Sequence, residues 1–185
     1  MPTVSDSFPR QYARTQRLTL GEPRNLTVTA DDTRVLFLRS AGGDDPVNCL
    51  WSAEMATGVE TLIADPRVLL ADDGAELSAD ERARRERLRE GAGGITGYST
   101  SDDGGQAAFA LGGRLFVADT VDGTVAAVDV VGPIFDPRLS PSGDLDAYVH
   151  GAELRVTDHS GSATTVASEP GAPETVSWGS PEFIA

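Results

Sequence analysis

The sequence predicts an all-β fold built from repeated antiparallel sheets, and three observations carry that prediction. Hydrophobic residues are 39% of the 185 residues, and they come in short β-branched or aromatic runs rather than long helical stripes. One pattern occurs three times: a small polar turn, an apolar strand, a second strand and a Gly turn. It reads TADDTRVLFLRS from Thr29 to Ser40, TSDDGGQAAFALGG from Thr100 to Gly113, and LSPSGDLDAYVHG from Leu139 to Gly151. The spacing is regular once an insertion is set aside. Ser101 to Ser140 is 39 residues and Ala30 to Ser101 is 71, an excess of 32 that matches a non-repeating stretch from about Pro66 to Gly97. The remaining period lies near the roughly 40–45 residues of a four-stranded propeller blade. The predicted architecture is a partial β-propeller of about three four-stranded blades with one inserted charged α-helix. A β-sandwich with similar turns is the alternative.

In chain order, residues 1–23 read as an N-terminal extension and 24–185 as the partial propeller. Blade-like repeats are expected near 29–65, 98–130 and 137–168. Each opens on a tetrapeptide (ADDT, SDDG, SPSG) whose Asp and Ser side chains or Pro and Gly torsions favour a reversal. Strands with Val35, Leu36 and Phe37, with Ala108 and Phe109, and with Tyr148 and Val149 follow. Turns at Gly112-Gly113 and Gly151-Ala152 lead into alternating strands, with Leu115 and Val117 in one and Leu154 and Val156 in the other. A strand before the third repeat, in VGPIFDPRLS, is expected to supply a fourth member. The insertion, 66–97, holds the predicted helix, Ser78 to Gly91. Ser78 and Glu81 form a capping box, and Gly91 is the stop. Five of the fifteen arginines stand there, with Leu88 as the one strongly apolar residue, so the helix reads as projecting and solvated. It is either a docking arm for a homo-oligomer or a plain linker.

The charge narrows partners more than function. There are 29 acidic against 15 basic residues, all of them arginine, for a net charge of −14. That balance argues against nucleic acid or an anionic membrane as partner. No apolar run is long enough to span a bilayer, and the start lacks a secretory apolar stretch, so a cytoplasmic location is expected. The residues offer little catalytic chemistry. There is no G-x-S-x-G elbow, no G-x-G-x-x-G, and no lysine for a phosphate loop. Cys49, beside Leu50 and Trp51, reads as a packed small hydrophobe. His150 and His159 flank turns, where a catalytic or metal role is open but a turn role is the plainer reading. The Asp pairs at 31–32, 44–45, 72–73 and 102–103 read as turn formers, since none has calcium-loop spacing. Asn25-Leu26-Thr27 matches a glycosylation sequon that is expected to be idle in a cytoplasmic protein. No cofactor, no metal site and no catalytic residue is expected within the chain.

Four blocks carry a family resemblance: RVLFLRS with LWSAEMATGVETLIADP, then LSADERARRERLREGAGGITGYSTSDDG, then LGGRLFVADTVDG, and VSWGSPEFIA at the end. In them the sequence resembles the amino-terminal propeller of dipeptidyl peptidase IV-like serine peptidases, in the prolyl oligopeptidase superfamily (S9 type). The resemblance implies a propeller covering a C-terminal α/β-hydrolase domain, which would supply a Ser-Asp-His triad and is absent from this chain. It implies a peptide substrate in the context of the full enzyme, with the propeller shaping access and recognising the substrate's free N-terminus. The family's acidic pair would fall beyond Ala185. An arginine of an early blade near the substrate would correspond to Arg39, which alternatively just ends a strand. The chain alone is expected to be inactive. A non-enzymatic propeller interaction module, and an acidic β-protein from a salt-adapted source, are the alternatives.

Overall fold

A computed structural model describes residues 7–70, 93–171, 176, 178 and 179. The helix expected at Ser78 to Gly91, and Ser180 to Ala185 of the terminal block, lie outside the described residues. The described chain forms three antiparallel sheets, each made of four strands consecutive in sequence. The first runs β1 (Arg24–Val28), β2 (Arg34–Ser40), β3 (Val47–Glu54) and β4 (Glu60–Ala64), with the two-residue β5 (Gly93–Gly94) added parallel to β3. The second runs β6 (Ser99–Thr100), β7 (Gln106–Leu111), β8 (Arg114–Asp119) and β9 (Val125–Val128). The third runs β10 (Phe135–Leu139), β11 (Asp146–His150), β12 (Glu153–Thr157) and β13 (Ala163–Ala167). The strand expected in VGPIFDPRLS is β10, paired with β11.

Two short helices add to this, and periodicity did not predict either. α1 (Phe8–Arg14) has Pro at its start and buries no residue. α2 (Pro66–Leu69) is a single turn with Pro at its start, where the missing N–H costs nothing, and the Asp65 carboxylate accepts from Arg67 N at 2.8 Å. Neither is long enough to show a 3.6-residue pattern, so tertiary position and capping decide them.

A hydrogen-bond motif defines the repeat. The side-chain oxygens of Thr29, Ser101 and Ser140 accept from the N–H five residues on: Arg34 at 3.1 Å, Gln106 at 3.0 Å and Leu145 at 3.1 Å. The backbone N–H groups of the same three residues donate back to Arg34, Gln106 and Leu145 carbonyls. The hydroxyl position is therefore Thr29, one residue before the Ala30 that turn composition suggests. Corresponding residues of the first and second sheets are 72 apart (Thr29 to Ser101), and those of the second and third 39 apart (Ser101 to Ser140). Two turns reinforce the motif with an aspartate. The Asp31 carboxylate accepts from Thr29 Oγ1 at 2.6 Å, Thr33 N and Thr33 Oγ1, which holds its pKa down at about 2. Asp103 repeats the device with Ser101 Oγ and Gly105 N, and its pKa is likewise lowered.

Because Asp31 titrates below its unfolded-state value, its contribution is complete above pH 3.8 and is lost as pH falls towards about 2. Asp31→Ala is expected to flatten the fall in stability between those pH values. Urea titrations at a series of acid pH values check this, and an unchanged slope contradicts it.

The sheets pack face to face, and strand alternation assigns each side chain to a face. Leu36, Leu38, Leu50, Ile63 and Ala64 of the first sheet meet Ala107, Phe109, Leu111, Phe116 and Ala118 of the second, with Ile95 closing the cluster. The opposite face of the second sheet, Ala108, Leu115 and Val128, meets Tyr148 of the third and Ile134. The second sheet is thus buried on both faces, which explains the near-continuous apolar run QAAFAL.

Candidate functional site

The first strands of the first and third sheets and the segment leading into the second converge on a cavity of about 140 Å³ lined by Asn25, Thr96, Gly97, Tyr98, Ala110, Asp136, Pro137 and Arg138. With the 72- and 39-residue offsets, Asn25, Gly97 and Asp136 are one repeat position seen three times. The backbone explains why this position faces the opening. Asn25 and Asp136 adopt φ of +50° and +47°, the left-handed region that Asn and Asp tolerate best among residues with a Cβ. Both sit where pairing with the next strand slips, between Arg24 and Thr27 in β1 and between Phe135 and Arg138 in β10. These are β-bulges at corresponding places, and a bulge bends a strand and re-aims its side chains.

The cavity's polar groups are already ordered. Arg138 Nη2 lies 2.9 Å from Asp136 Oδ1, with the arginine side chain largely exposed. The Tyr98 phenol reaches from the second sheet to the first, donating to the Leu36 carbonyl at 2.9 Å with the Asn25 carbonyl and Thr27 Oγ1 also in range. Burial pushes its pKa above the ordinary tyrosine range, and the Thr27 contact opposes this. Tyr98→Phe is expected to cost about 1 kcal/mol, the net worth of one such bond. Chemical denaturation would show it, and a neutral substitution would refute a latching role. The arrangement offers a cation, a carboxylate and backbone groups at one mouth, which suits polar recognition rather than bond cleavage.

A second crevice of about 270 Å³ opens between the first and second sheets, lined by Arg34, Ser52, Glu54, Thr61, Thr120 and Gly123 among others. Arg34 Nη1 donates across it to the Thr120 carbonyl at 2.5 Å. It is a seam between sheets held by that cation.

The residues singled out from sequence lie elsewhere. Arg39 is on the far face of the first sheet and does not line the cavity. Its guanidinium stacks over Phe37 and Trp51, at 5.3 and 5.1 Å from the ring centres, and pairs in a fork with Glu60. Cys49 is buried, and desolvation, reinforced by Asp65, pushes its thiol up to about 11. His150 Nδ1 contacts the Pro133 carbonyl at 3.1 Å, while His159 Nε2 contacts Asp146 Oδ2 at 2.8 Å. The two histidines serve different partners. The Asp146–His159 pair, 13 residues apart and spanning β11 to the turn after β12, was missed because no motif links them. Burial raises the Asp146 pKa, against the attraction of His159. Asn25 was noticed as a sequon residue, but its place at the cavity depends on a bulge that only strand pairing reveals. Among the described residues, no three His, Cys, Asp or Glu side chains gather as a metal site, and no helix is long and apolar enough to cross a membrane.

No protein-family model matches the chain. Among solved structures, a prolyl endopeptidase superposes with TM-score 0.52 at 17% identity, over 88% of this chain and 23% of its own. The tricorn protease gives 0.52 at 14% identity, over 80% of this chain and 13% of its own. The β-propeller domain of the Trilobed protease from Pyrococcus furiosus gives 0.53 at 11% identity, over 80% and 44%. The chain is a partial β-propeller. Its three sheets are consecutive blades, their first strands are the inner strands, and the cavity lies where the first and third of these meet the segment leading into the second. The chain spans less than half the length of each of these structures.

Proposed function

We propose that this chain is the propeller portion of an S9-type serine peptidase of the dipeptidyl peptidase IV kind. In this reading it shapes substrate access and N-terminus recognition beside an α/β-hydrolase domain, and it is not catalytic alone. The observation that carries the reading is the blade architecture it shares with the propeller domain of a protease, taken with the four sequence blocks that resemble the peptidase family. The polar cavity at the inner strands supports it further. Its Asp136 and Arg138 side chains and its backbone groups suit contact with a polar chain end, and fixing a chain end beside a nucleophile accelerates acyl transfer. A substrate contact by Arg39 belongs to the same proposal and requires that its guanidinium be shared with Glu60.

The test has two arms. Purified chain mixed with an X-Pro or X-Ala chromogenic dipeptide is expected to give no turnover above blank, and turnover would contradict the non-catalytic role. Sequencing the gene past the codon for Ala185 is expected to reveal an acidic pair within a few codons and a G-x-S-x-G elbow several hundred codons on. An open frame without either overturns the peptidase reading.

A further inference from the structure

The strands run alternately up and down each sheet, so the reversals from first to second strand and from third to fourth all lie at one end of the blades. Backbone bonds stitch the blades together there. Ala30 N donates to the Asp103 carbonyl at 3.2 Å, and Asp102 N to the Pro141 carbonyl at 2.9 Å. None of the six reversals (29–33, 55–59, 101–105, 120–124, 140–145 and 158–162) contains an arginine, and all but 55–59 contain aspartate. This end of the molecule attracts cations.

The crevice of about 270 Å³ between the first two blades opens at that end. Space is left because two positions carry small side chains. Ser52 pairs with Leu36 as Val117 pairs with Ala108, and Thr120 corresponds to His159 by the 39-residue offset. At the second seam Val117 packs into the core and His159 reaches Asp146, whereas Ser52 and Thr120 leave the first seam open.

The lining combines apolar and anionic groups. Val59 and Val121 are its exposed aliphatic members, at 59% and 75%. Ser52 is only 7% exposed, yet its hydroxyl has no hydrogen-bond partner among the described residues. Glu54 stands two residues further along the same strand, hence on the same face. Its carboxylate accepts from Thr57 Oγ1 and has no cation paired with it among the described residues. Arg34, the one cation lining the crevice, donates to Thr120 and is balanced by Asp31 and Asp103, whose pKa values it helps to lower.

We infer that this crevice receives a lysine or arginine side chain from a cationic segment of a partner protein. Such a side chain has an aliphatic stem that can lie against Val59 and Val121 while its head meets the Glu54 carboxylate and the Ser52 hydroxyl. Charge complementarity names the occupant, since the aspartate-bearing reversals draw a cationic segment and repel an acidic one. The crevice shares no lining residue with the inner-strand cavity, so the inference stands or falls independently of the peptidase reading.

Fluorescence anisotropy of a labelled peptide repeating Gly-Ser-Lys, titrated with the 185-residue chain at low salt, tests it. The expected result is saturable binding that weakens as salt rises. Glu54→Gln is expected to weaken binding about tenfold, the scale of one charge-assisted hydrogen bond. Asp44→Asn removes the same charge from the opposite end of the blades, and should leave the affinity within about twofold because distant surface charges are screened. Val59→Ser combined with Val121→Ser should also weaken binding. A peptide with diaminopropionate in place of lysine keeps the charge on a shorter stem, and should bind less tightly than the lysine peptide. All four altered residues are exposed, so folding should survive, as circular dichroism would verify. No binding, equal weakening by Glu54→Gln and Asp44→Asn, or equal affinity for the short-stem peptide would each overturn the proposal. The second of these outcomes would mean attraction by net charge alone.

Discussion

Replacing Phe109 with alanine is expected to destabilise the chain by about 3–5 kcal/mol, the usual cost of removing a buried aromatic side chain. The ring is fully buried between the first two blades and stacks on Phe116 with an interplanar angle of 9°. Leu36, Leu38 and Leu50 line the same core, and they sit on a sheet whose strands are mutually hydrogen-bonded. Such a wall cannot collapse into the vacated space without breaking its ladder, so lost dispersion adds to lost transfer energy. For a chain of this length the change corresponds to a fall of about 10 °C in the thermal midpoint. Phe109→Leu, which keeps most of the volume, should cost less than half as much. Thermal and urea denaturation followed by circular dichroism check both. A loss below about 1 kcal/mol for Phe109→Ala would mean that the first two blades are not packed as described.

His159→Ala is expected to cost about 3 kcal/mol at pH 7, because it strips a buried carboxyl group of its hydrogen-bond partner. Asp146 has no exposed surface, and its Oδ1 has no hydrogen-bond partner among the described residues, so the 2.8 Å contact from Oδ2 to His159 is its main compensation. The pH dependence follows from burial. The folded-state pKa of Asp146 is raised above the unfolded value, so its protonated form is favoured in the fold. Stability from this group is therefore full below pH 3.8 and falls as pH rises through the raised value. Removing His159 raises that pKa further. The deficit of the variant should accordingly be largest at neutral pH and shrink near pH 4, where the carboxyl can hold its proton. Replacing both residues, Asp146→Asn with His159→Ala, should recover part of the loss at pH 7. A deficit of the same size at both pH values would show that His159 acts through packing rather than charge.

These two sites show how differently the repeat could be read from the chain. The strands of the first core were legible because RVLFLRS and QAAFAL are short apolar runs bounded by turn residues, but which of their side chains share a face came only from strand pairing. The turns were legible too, since ADDT, SDDG and SPSG have side chains that close reversals locally. Even there the register was one residue off. Turn composition matches Ala30 with Ser101, whereas the hydroxyl that bonds five residues ahead belongs to Thr29. A single chain shows which residues favour a turn, but the hydrogen bond that anchors it depends on where the strand begins.

The cavity was not legible at all. Asn25 drew notice only as part of a sequon, and Asp136 only as part of a strand. Their convergence depends on β-bulges created when two strands pair out of step. Arg39 illustrates the opposite case. Its presence at the end of a strand was plain, but its stacking on Phe37 and Trp51 and its fork with Glu60 needed three strands to be in register.

By itself, then, the sequence determined the all-β class, the turns and the short apolar runs that become strands, because those depend on torsional preference and on local apolar content. Tertiary structure alone decided which faces meet, that Asn25, Gly97 and Asp136 surround one cavity, and that Asp146 lies beside His159. Those are long-range pairings set by register between strands, and no local preference of a residue encodes its partner in another blade.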